Sequence, residues 1–173
     1  MDTVISKESG LGHTSSTLSF QCVDAIEICL FIEREGLSFY EKAVKNALEP
    51  KVKTMFLRLA EEEREHLQIL QTKLQFLKPA ISGKGRRQQK IGSFIGEELE
   101  GKIFSVSKNN IVEEFKNDLE ALEFGIEAEK CSIQILNDLL TNEQKLDVKS
   151  IFAHLLVEEK KHLLLLEELR GKI

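Results

Sequence analysis

A chain of 173 residues has the length of a single domain and can bury a hydrophobic core without disulfide bonds. Its net charge of −5, from 24 basic and 29 acidic residues, argues against general affinity for nucleic acid. The three cysteines include no Cys-x-x-Cys pair, which argues against a disulfide framework and fits a reducing compartment. We therefore expect a cytoplasmic protein with no nucleic-acid partner.

The N-terminal segment is mostly polar. Its first 20 residues lack the apolar core that a secretory signal needs. No uninterrupted apolar run further along the chain reaches transmembrane length. We expect residues 1–20 to be a flexible tail, residues 21–173 to form one domain, and the protein to have no membrane partner.

Two long helices are predicted in the first part of this domain. Over residues 22–48 the apolar side chains recur at helical spacing, and the pattern stops before Pro50. A second helical pattern covers residues 51–77 and ends before Pro79, because proline disfavours a helical conformation in the residue that precedes it. The two segments are expected to form a helical hairpin.

A long connection is predicted over residues 78–109, which include five glycines. One helical turn or more is expected within it, around residues 94–104. The basic run between Lys84 and Lys90 is interpreted as an exposed loop, with a site for an anionic partner as the alternative.

A second pair of long helices follows the connection. The third helix is predicted over residues 110–140, because Asn110 and Glu113 have the spacing of a capping box. The fourth helix is predicted over residues 143–169, after a short turn. Few glycines or prolines lie outside the connection, so the sequence predicts an all-α domain.

One short motif, Glu-x-x-His, occurs twice in these helices, displaced by 96 residues. A further glutamate lies 30 residues before each copy. The six residues, called the Glu/His set below, are Glu33, Glu63, His66, Glu129, Glu159 and His162. A single copy of the motif is usually part of a solvated helix face, but two copies with matching upstream glutamates indicate a metal site.

The Glu/His set falls on the helix faces where leucines are expected. Glu63 and His66, for example, continue an apolar series in steps of three and four between Phe56 and Leu70. Burying ionised carboxylates costs several kcal/mol each unless they are protonated, paired or bound to metal. Two divalent cations would balance four carboxylates and leave two neutral imidazoles as nitrogen ligands.

The spacing also brings the ligands of each hairpin to the same height. Glu33 lies about 16 residues before the first turn and Glu63 about 14 residues after it, and each residue rises about 1.5 Å along a helix. Glu129 and Glu159 flank the second turn in a similar way. Two such half-sites, packed about a pseudo-twofold axis, would form one dinuclear centre, and this arrangement requires a long connection.

The four helices resemble those of rubrerythrins, which belong to the ferritin-like superfamily of di-iron carboxylate proteins. The matching segments are AIEICLFIEREGLSFYEKA, LAEEEREHLQIL, GIEAEKCSIQIL and LLVEEKKHLLLL. The resemblance covers residues 22–77 and 110–170 and implies a ferritin-like up-down four-helix bundle, made of two repeated helical hairpins joined by a long crossover. It also implies two iron ions bound by the Glu/His set, and the same residue types hold manganese or zinc.

Three departures from rubrerythrins are visible. The chain carries no C-terminal rubredoxin domain with its Cys-x-x-Cys pairs, so an external electron donor such as a rubredoxin-like protein is expected. Ser132 stands where rubrerythrins have a further glutamate that exchanges as a ligand on oxidation. Tyr40 stands where family members hydrogen-bond a ligand carboxylate, with a simply packed aromatic as the alternative, and its counterpart in the repeat is Leu136.

The resemblance implies a di-iron redox protein that reacts with hydrogen peroxide or dioxygen. Three alternatives stay open. They are a ferroxidase or iron-handling protein, a di-iron oxygenase with an organic substrate, and a non-catalytic bundle or adaptor that contains zinc or manganese.

Two leucines and two histidines lie away from the predicted ligand faces. Leu164 and Leu165 indicate an oligomer interface, most simply that of a homodimer. His13 in the tail and His154 in the fourth helix are interpreted as surface residues.

Overall fold

The computed structural model describes residues 20–77, 84–103 and 115–173. Over these ranges the chain forms five α-helices and no strand. The helices are α1 (Cys22–Asn46), α2 (Pro50–Leu77), α3 (Lys84–Phe94), α4 (Asp118–Asn142) and α5 (Leu146–Arg170). The predicted tail, apart from its last residue, lies outside the described ranges. The predicted all-α fold is confirmed.

Four of the helices form two antiparallel hairpins. Residues 47–49 connect α1 to α2, and residues 143–145 connect α4 to α5. Each of these helices is at least about 37 Å long, at about 1.5 Å per residue. The hairpins meet through contacts of α1 with α4 and α5 and of α2 with α5. The result is the predicted four-helix bundle of two hairpins joined by a crossover. None of the helices described combines the length and hydropathy needed to cross a lipid bilayer.

Aromatic rings fill the part of the core between α1 and the start of α4. The ring centroid of Phe39 lies 5.1 to 6.4 Å from those of Tyr40, Phe56, Phe115 and Phe124. Ring pairs at these separations add to the free energy gained from burial alone. The cluster therefore holds α1, α2 and α4 together and keeps the ring of Tyr40 in one place.

The third long helix begins later than predicted. Residues 115–117 are not helical, and α4 starts at Asp118; Asn110 itself lies outside the described ranges. The side chain of Asn117 caps the helix, because its Oδ1 accepts a hydrogen bond of 2.9 Å from the backbone N–H of Glu120. The Asn-x-x-Glu pattern at Asn110 recurs seven residues later at Asn117, and the later copy forms the cap.

The crossover also differs from the prediction. A helix occupies Lys84–Phe94 and includes the basic run that was expected to be a loop, and a π-helical turn follows at Ile95–Leu99. Buried Ile91 and Leu99 give this segment an apolar face that packs on the bundle, which explains why it is helical. The π-helical turn lies where a helical turn was predicted, around residues 94–104, whereas the helix before it was not predicted.

The fourth long helix begins at Leu146, three residues later than predicted. Glu143 precedes it, and its Oε1 accepts hydrogen bonds from the backbone N–H groups of Gln144 and Lys145, at 2.8 and 2.9 Å. A side chain that binds the backbone in this way stabilises a turn and competes with continuation of the helix.

One side chain connects the ends of the two hairpins. Asp118, at the start of α4, accepts hydrogen bonds from the backbone N–H groups of Leu48, at 3.0 Å, and Glu49, at 2.6 Å. These N–H groups lie just before α2, where a negative charge is also favoured by the helix dipole. Asp118 thus acts as a cap for a helix of the other hairpin.

We expect Asp118→Ala to lower the free energy of unfolding by about 1 kcal/mol, the usual cost of losing a helix cap. For a protein of this size the melting temperature should fall by about 2–4 °C, which thermal unfolding followed by circular dichroism measures. Asp138→Ala, at an exposed position of the same helix, is the matched control and should cost at most about 0.5 kcal/mol, because its carboxylate accepts an exposed hydrogen bond from Gln134. Equal melting temperatures for Asp118→Ala and the unaltered protein would contradict the cap.

Candidate metal centre

The Glu/His set converges in the middle of the bundle. One group of its ligand atoms, all within 4.8 Å of one another, comes from Glu63, Glu129, Glu159 and His162. A second group of the same compactness comes from Glu33, Glu63 and His66. Glu63 belongs to both groups. The structure therefore places all six predicted residues in one cluster made of two adjoining parts.

The helical repeat explains this placement. The Glu and His of each motif are separated by three residues, so they share one face of α2 or of α5. Short turns close both hairpins and bring Glu33 opposite Glu63, and Glu129 opposite Glu159. Four faces with the same register then meet at one level of the bundle.

The imidazole of His162 faces three carboxylates. Its Nδ1 lies 3.4 Å from Glu63 Oε1, 3.7 Å from Glu129 Oε1 and 4.0 Å from Glu159 Oε2. All four of these side chains are buried. The arrangement points one nitrogen and several oxygens at a common space, as a metal site requires.

The imidazole of His66 has a similar but more open environment. Its Nδ1 lies 3.4 Å from Glu33 Oε1 and 4.0 Å from Glu63 Oε2. The rings of His66 and His162 are nearly parallel, with centroids 6.0 Å apart. The side chain of His66 is 19% exposed, whereas that of His162 is 1% exposed. The cluster therefore meets solvent on the His66 side.

The cluster contains polar atoms that no residue in the described part of the chain satisfies. Every member of the Glu/His set has at least one buried nitrogen or oxygen without a hydrogen-bond partner; these include Glu33 Oε2, Glu63 Oε2, His66 Nδ1, Glu129 Oε2, Glu159 Oε2 and His162 Nδ1. Such atoms are rare in proteins, because each costs about 1–3 kcal/mol. Oxygen and nitrogen donors of this kind, with four carboxylates among them, fit a pair of divalent cations.

The carboxyl groups are strongly perturbed. Burial raises the pKa of Glu63 well above its usual range, and a hydrogen bond to Glu33 adds to the effect. Burial and the charge of Glu129 raise the pKa of Glu159 in the same way. For Glu129 burial is outweighed by hydrogen bonds from Glu159 and His162, which lower its pKa. Protons shared between carboxyl groups therefore balance part of the charge when metal is absent.

The histidines also bind protons more tightly than usual. The contact with Glu33 raises the pKa of His66 in spite of burial. For His162 burial acts in the opposite direction, but the contact with Glu129 outweighs it and the pKa is raised. A metal ion would therefore have to displace protons from both carboxyl and imidazole groups.

Tyr40 contacts the cluster directly. It is fully buried, and its hydroxyl donates a hydrogen bond to Glu129 Oε1. Its counterpart in the repeat, Leu136, is buried and apolar. Only one half of the cluster therefore has a tyrosine that fixes a carboxylate.

Ser132 lies three residues after Glu129 and is fully buried, and its Oγ has no hydrogen-bond partner. Its counterpart in the repeat is the buried Gly36. Both residues are small and uncharged, so neither adds a carboxylate to the cluster.

Sequence reasoning missed two features around the cluster. Glu62 was not singled out, yet its Oε2 lies 3.4 Å from His162 Nε2. A cleft between α2 and α5 leads to Glu33 and His66 and is lined by Lys73 and His154. His154 is exposed as predicted, but it stands beside the approach to the cluster. The only indication of Glu62 in the sequence is its position directly before Glu63, at the edge of the helix face that carries Glu63 and His66.

The comparisons with known proteins agree with this geometry. A sequence model of the rubrerythrin family matches residues 24–170, which is most of the chain. No curated protein and no solved structure gives a significant match. The ferritin-like helical bundle, its buried Glu/His cluster and the family match over residues 24–170 lead to one conclusion: this chain belongs to the rubrerythrin family.

Proposed function

We propose that the Glu/His set binds two iron ions and that the protein is a redox protein that reacts with hydrogen peroxide or dioxygen. The observation that carries the proposal is the set of buried, unsatisfied donor atoms at the centre of the bundle. When bound, two ferrous ions would supply the electrons that reduce the oxidant. An external electron donor, such as a rubredoxin-like protein, would restore the reduced state.

The protein would hold the two ions close together through Glu63. This residue belongs to both groups of ligand atoms, because its Oε1 lies 3.4 Å from His162 Nδ1 and its Oε2 lies 4.0 Å from His66 Nδ1. The other three glutamates divide between the groups, with Glu33 in one and Glu129 and Glu159 in the other. Four carboxylates balance the charge of two divalent cations, and both histidines present Nδ1 as a neutral donor.

Tyr40 would orient the carboxylate of Glu129. Burial, and next the charge of Glu129, hold the pKa of Tyr40 well above its usual value. The hydroxyl therefore stays protonated near neutral pH and can donate to Glu129 throughout a redox cycle. The aromatic cluster around Phe39 keeps this donor in position.

A ferroxidase or iron-handling function is the second proposal. It is favoured by the partial exposure of His66 and by the cleft that reaches this residue and Glu33. An iron ion on this side could leave after oxidation. Zinc and manganese bind the same types of ligand, so the identity of the metal as iron is also part of the proposal.

We also propose that the protein is a cytoplasmic homodimer. Leu164 is 57% exposed, and Val157 is exposed seven residues earlier on the same face of α5. Leu165 is half-buried, so it contributes less than expected. Light scattering after size-exclusion chromatography should give the mass of two chains, and Leu164→Lys should shift it toward one. A monomer at all concentrations would exclude this interface.

Anaerobic titration with ferrous iron should show two ions per chain. Glu63→Ala should weaken the binding of both ions, because Glu63 belongs to both groups of ligand atoms. Glu129→Ala should chiefly weaken the binding of one ion. Glu61→Ala, at an exposed position of the same helix, is the control and should bind two ions. Fewer than two ions in the unaltered protein would refute a dinuclear centre.

The reduced, loaded protein should then react with one oxidant faster than with the other. Stopped-flow absorption with hydrogen peroxide and with dioxygen measures the two rates separately. A faster reaction with peroxide supports the peroxidase function. A faster reaction with dioxygen, followed by release of ferric iron, supports the ferroxidase function. Absence of oxidation by either would contradict both.

The metal-free protein should gain stability as the pH falls from about 7.5 to about 5.5. A raised folded-state pKa, as for Glu63, Glu159, His66 and His162, stabilises the fold at low pH, and this contribution is lost as the pH rises through that pKa. The lowered pKa of Glu129 has the opposite effect on stability, but this effect changes with pH only below the usual carboxyl pKa of 4.5. Melting temperatures measured over this pH range in the presence of a chelator test how stability depends on pH.

Glu63→Gln isolates the contribution of one carboxyl group. An amide has no charge to bury, so the metal-free variant should be more stable at pH 7.5, on the order of 1–3 kcal/mol, and should depend less on pH. The same variant should bind metal more weakly. Glu61→Gln, an exposed control, should change neither property. An unchanged pH dependence in Glu63→Gln would show that this carboxyl group is not a source of the instability.

A further inference from the structure

Glu62 joins a surface arginine to a buried histidine of the other hairpin. Its Oε1 accepts a hydrogen bond of 2.7 Å from Arg58 Nε, one turn earlier in α2. Its Oε2 lies 3.4 Å from Nε2 of His162 in α5. The exposed fraction of the side chain is 56% for Arg58, 31% for Glu62 and 1% for His162. One carboxylate therefore connects the protein surface to the cluster.

The contact is on the side of the imidazole that faces away from the other carboxylates. A neutral imidazole carries one N–H, so Nδ1 is free to bind a metal ion only if the proton is on Nε2. A carboxylate beside Nε2 favours that form, and ligand histidines in proteins commonly have such a partner. Glu62 is thus placed to select the form of His162 that directs a lone pair at Glu63, Glu129 and Glu159.

The separation of 3.4 Å is longer than a good N–H···O hydrogen bond, and Nε2 accordingly has no hydrogen-bond partner. Coordination at Nδ1 makes the N–H at Nε2 a stronger donor. Glu62 is partly exposed and held at one oxygen only by Arg58, so a small rotation of its carboxylate can close the gap. Contacts of this kind often tighten when the ligand is bound.

In the other half of the cluster the corresponding residues have different partners. The repeat relates Glu62 to Glu158 and Arg58 to His154. Both oxygens of Glu158 are bound by the ammonium group of Lys161, at 2.8 and 2.9 Å. An imidazole thus replaces the permanently charged guanidinium, and the carboxylate is already occupied by a neighbour in its own helix.

We propose that Glu62, held by Arg58, is a positioning residue for His162 and makes the metal position at Glu129, Glu159 and His162 the tighter of the two. The inference rests on the proposed function, that the Glu/His set binds two ions. Two further observations support the difference in affinity, the number of ligand residues and the exposure of the histidine. The group containing His162 has four ligand residues, the group containing His66 has three, and His66 is the more exposed histidine.

Cobalt(II) titration of the chelator-treated, full-length protein tests the proposal, because the visible absorption of the ion reports each binding step. The unaltered protein should bind two ions in two separate steps. Glu62→Ala should weaken the first step by about 10- to 100-fold, the usual effect of losing the partner of a ligand histidine. Glu62→Gln keeps one acceptor oxygen and should recover part of the loss. Glu158→Ala should leave the first step unchanged.

A second measurement separates positioning from a general structural effect. In the cobalt-loaded protein, the N–H protons of coordinated imidazoles give strongly shifted NMR signals that disappear on exchange with deuterium. The signal of His162 should exchange slowly in the unaltered protein and fast in Glu62→Ala. Arg58→Ala should show an intermediate rate. The metal-free forms of both variants should melt as the unaltered protein does, because the substituted side chains are partly exposed.

The outcomes distinguish the two proposals. Fewer than two cobalt ions in the unaltered protein would refute the dinuclear centre and the inference with it. Two ions in the unaltered protein, with both binding steps and the exchange rate unchanged in Glu62→Ala, would refute only the positioning role of Glu62. Equal weakening of both steps would also refute it, because the inference assigns Glu62 to one metal position.

Discussion

Burying four glutamates at one level of a helical bundle costs several kcal/mol per charge unless protons or cations balance it. In this protein the need to balance these charges is reflected in the positions of the turns and in the crossover. The two turns bring the glutamates of each hairpin to the same height, and the crossover lets the second hairpin dock with its own pair facing the first. Burial raises the pKa of Glu63 and Glu159 well above the usual range, which favours their neutral forms when no metal is bound. The core is thus built around a charge balance that two divalent cations would complete.

The fold and the cluster could be predicted because their signals are periodic. A repeated motif on two apolar faces specifies register as well as residue type, so six residues far apart in sequence could be placed together. Helix starts depend on local competition instead: Asn110 and Asn117 carry the same capping pattern, and that pattern does not reveal that Phe115 packs on Phe39 or that Asp118 binds the first hairpin. Glu62 was missed for a related reason. An acidic residue at the edge of a face looks solvated until the opposite helix is in place.

The ligands occupy equivalent positions in the two hairpins, but the residues around them differ between the two halves of the cluster. Tyr40 supports a carboxylate on one side, whereas Leu136 occupies the related place in the other hairpin. Small residues, Gly36 and Ser132, follow the upstream glutamates, so the cluster does not gain a further carboxylate as in rubrerythrins that carry one there. If the cluster holds two ions as proposed, the two positions would differ, one enclosed around His162 and the other beside the cleft at His66.

Asp118 has a consequence for how the molecule assembles. The N-terminus of α2 belongs to the first hairpin, but its exposed N–H groups are satisfied by a residue of the second. The first hairpin is therefore not complete alone, although it contains a turn, two long helices and half of the ligands. This cap, together with glutamates that are buried only when the hairpins dock, favours folding of the two repeats in a single transition. Chaperones and proteases of the cell would then encounter molecules that are either fully folded or fully unfolded.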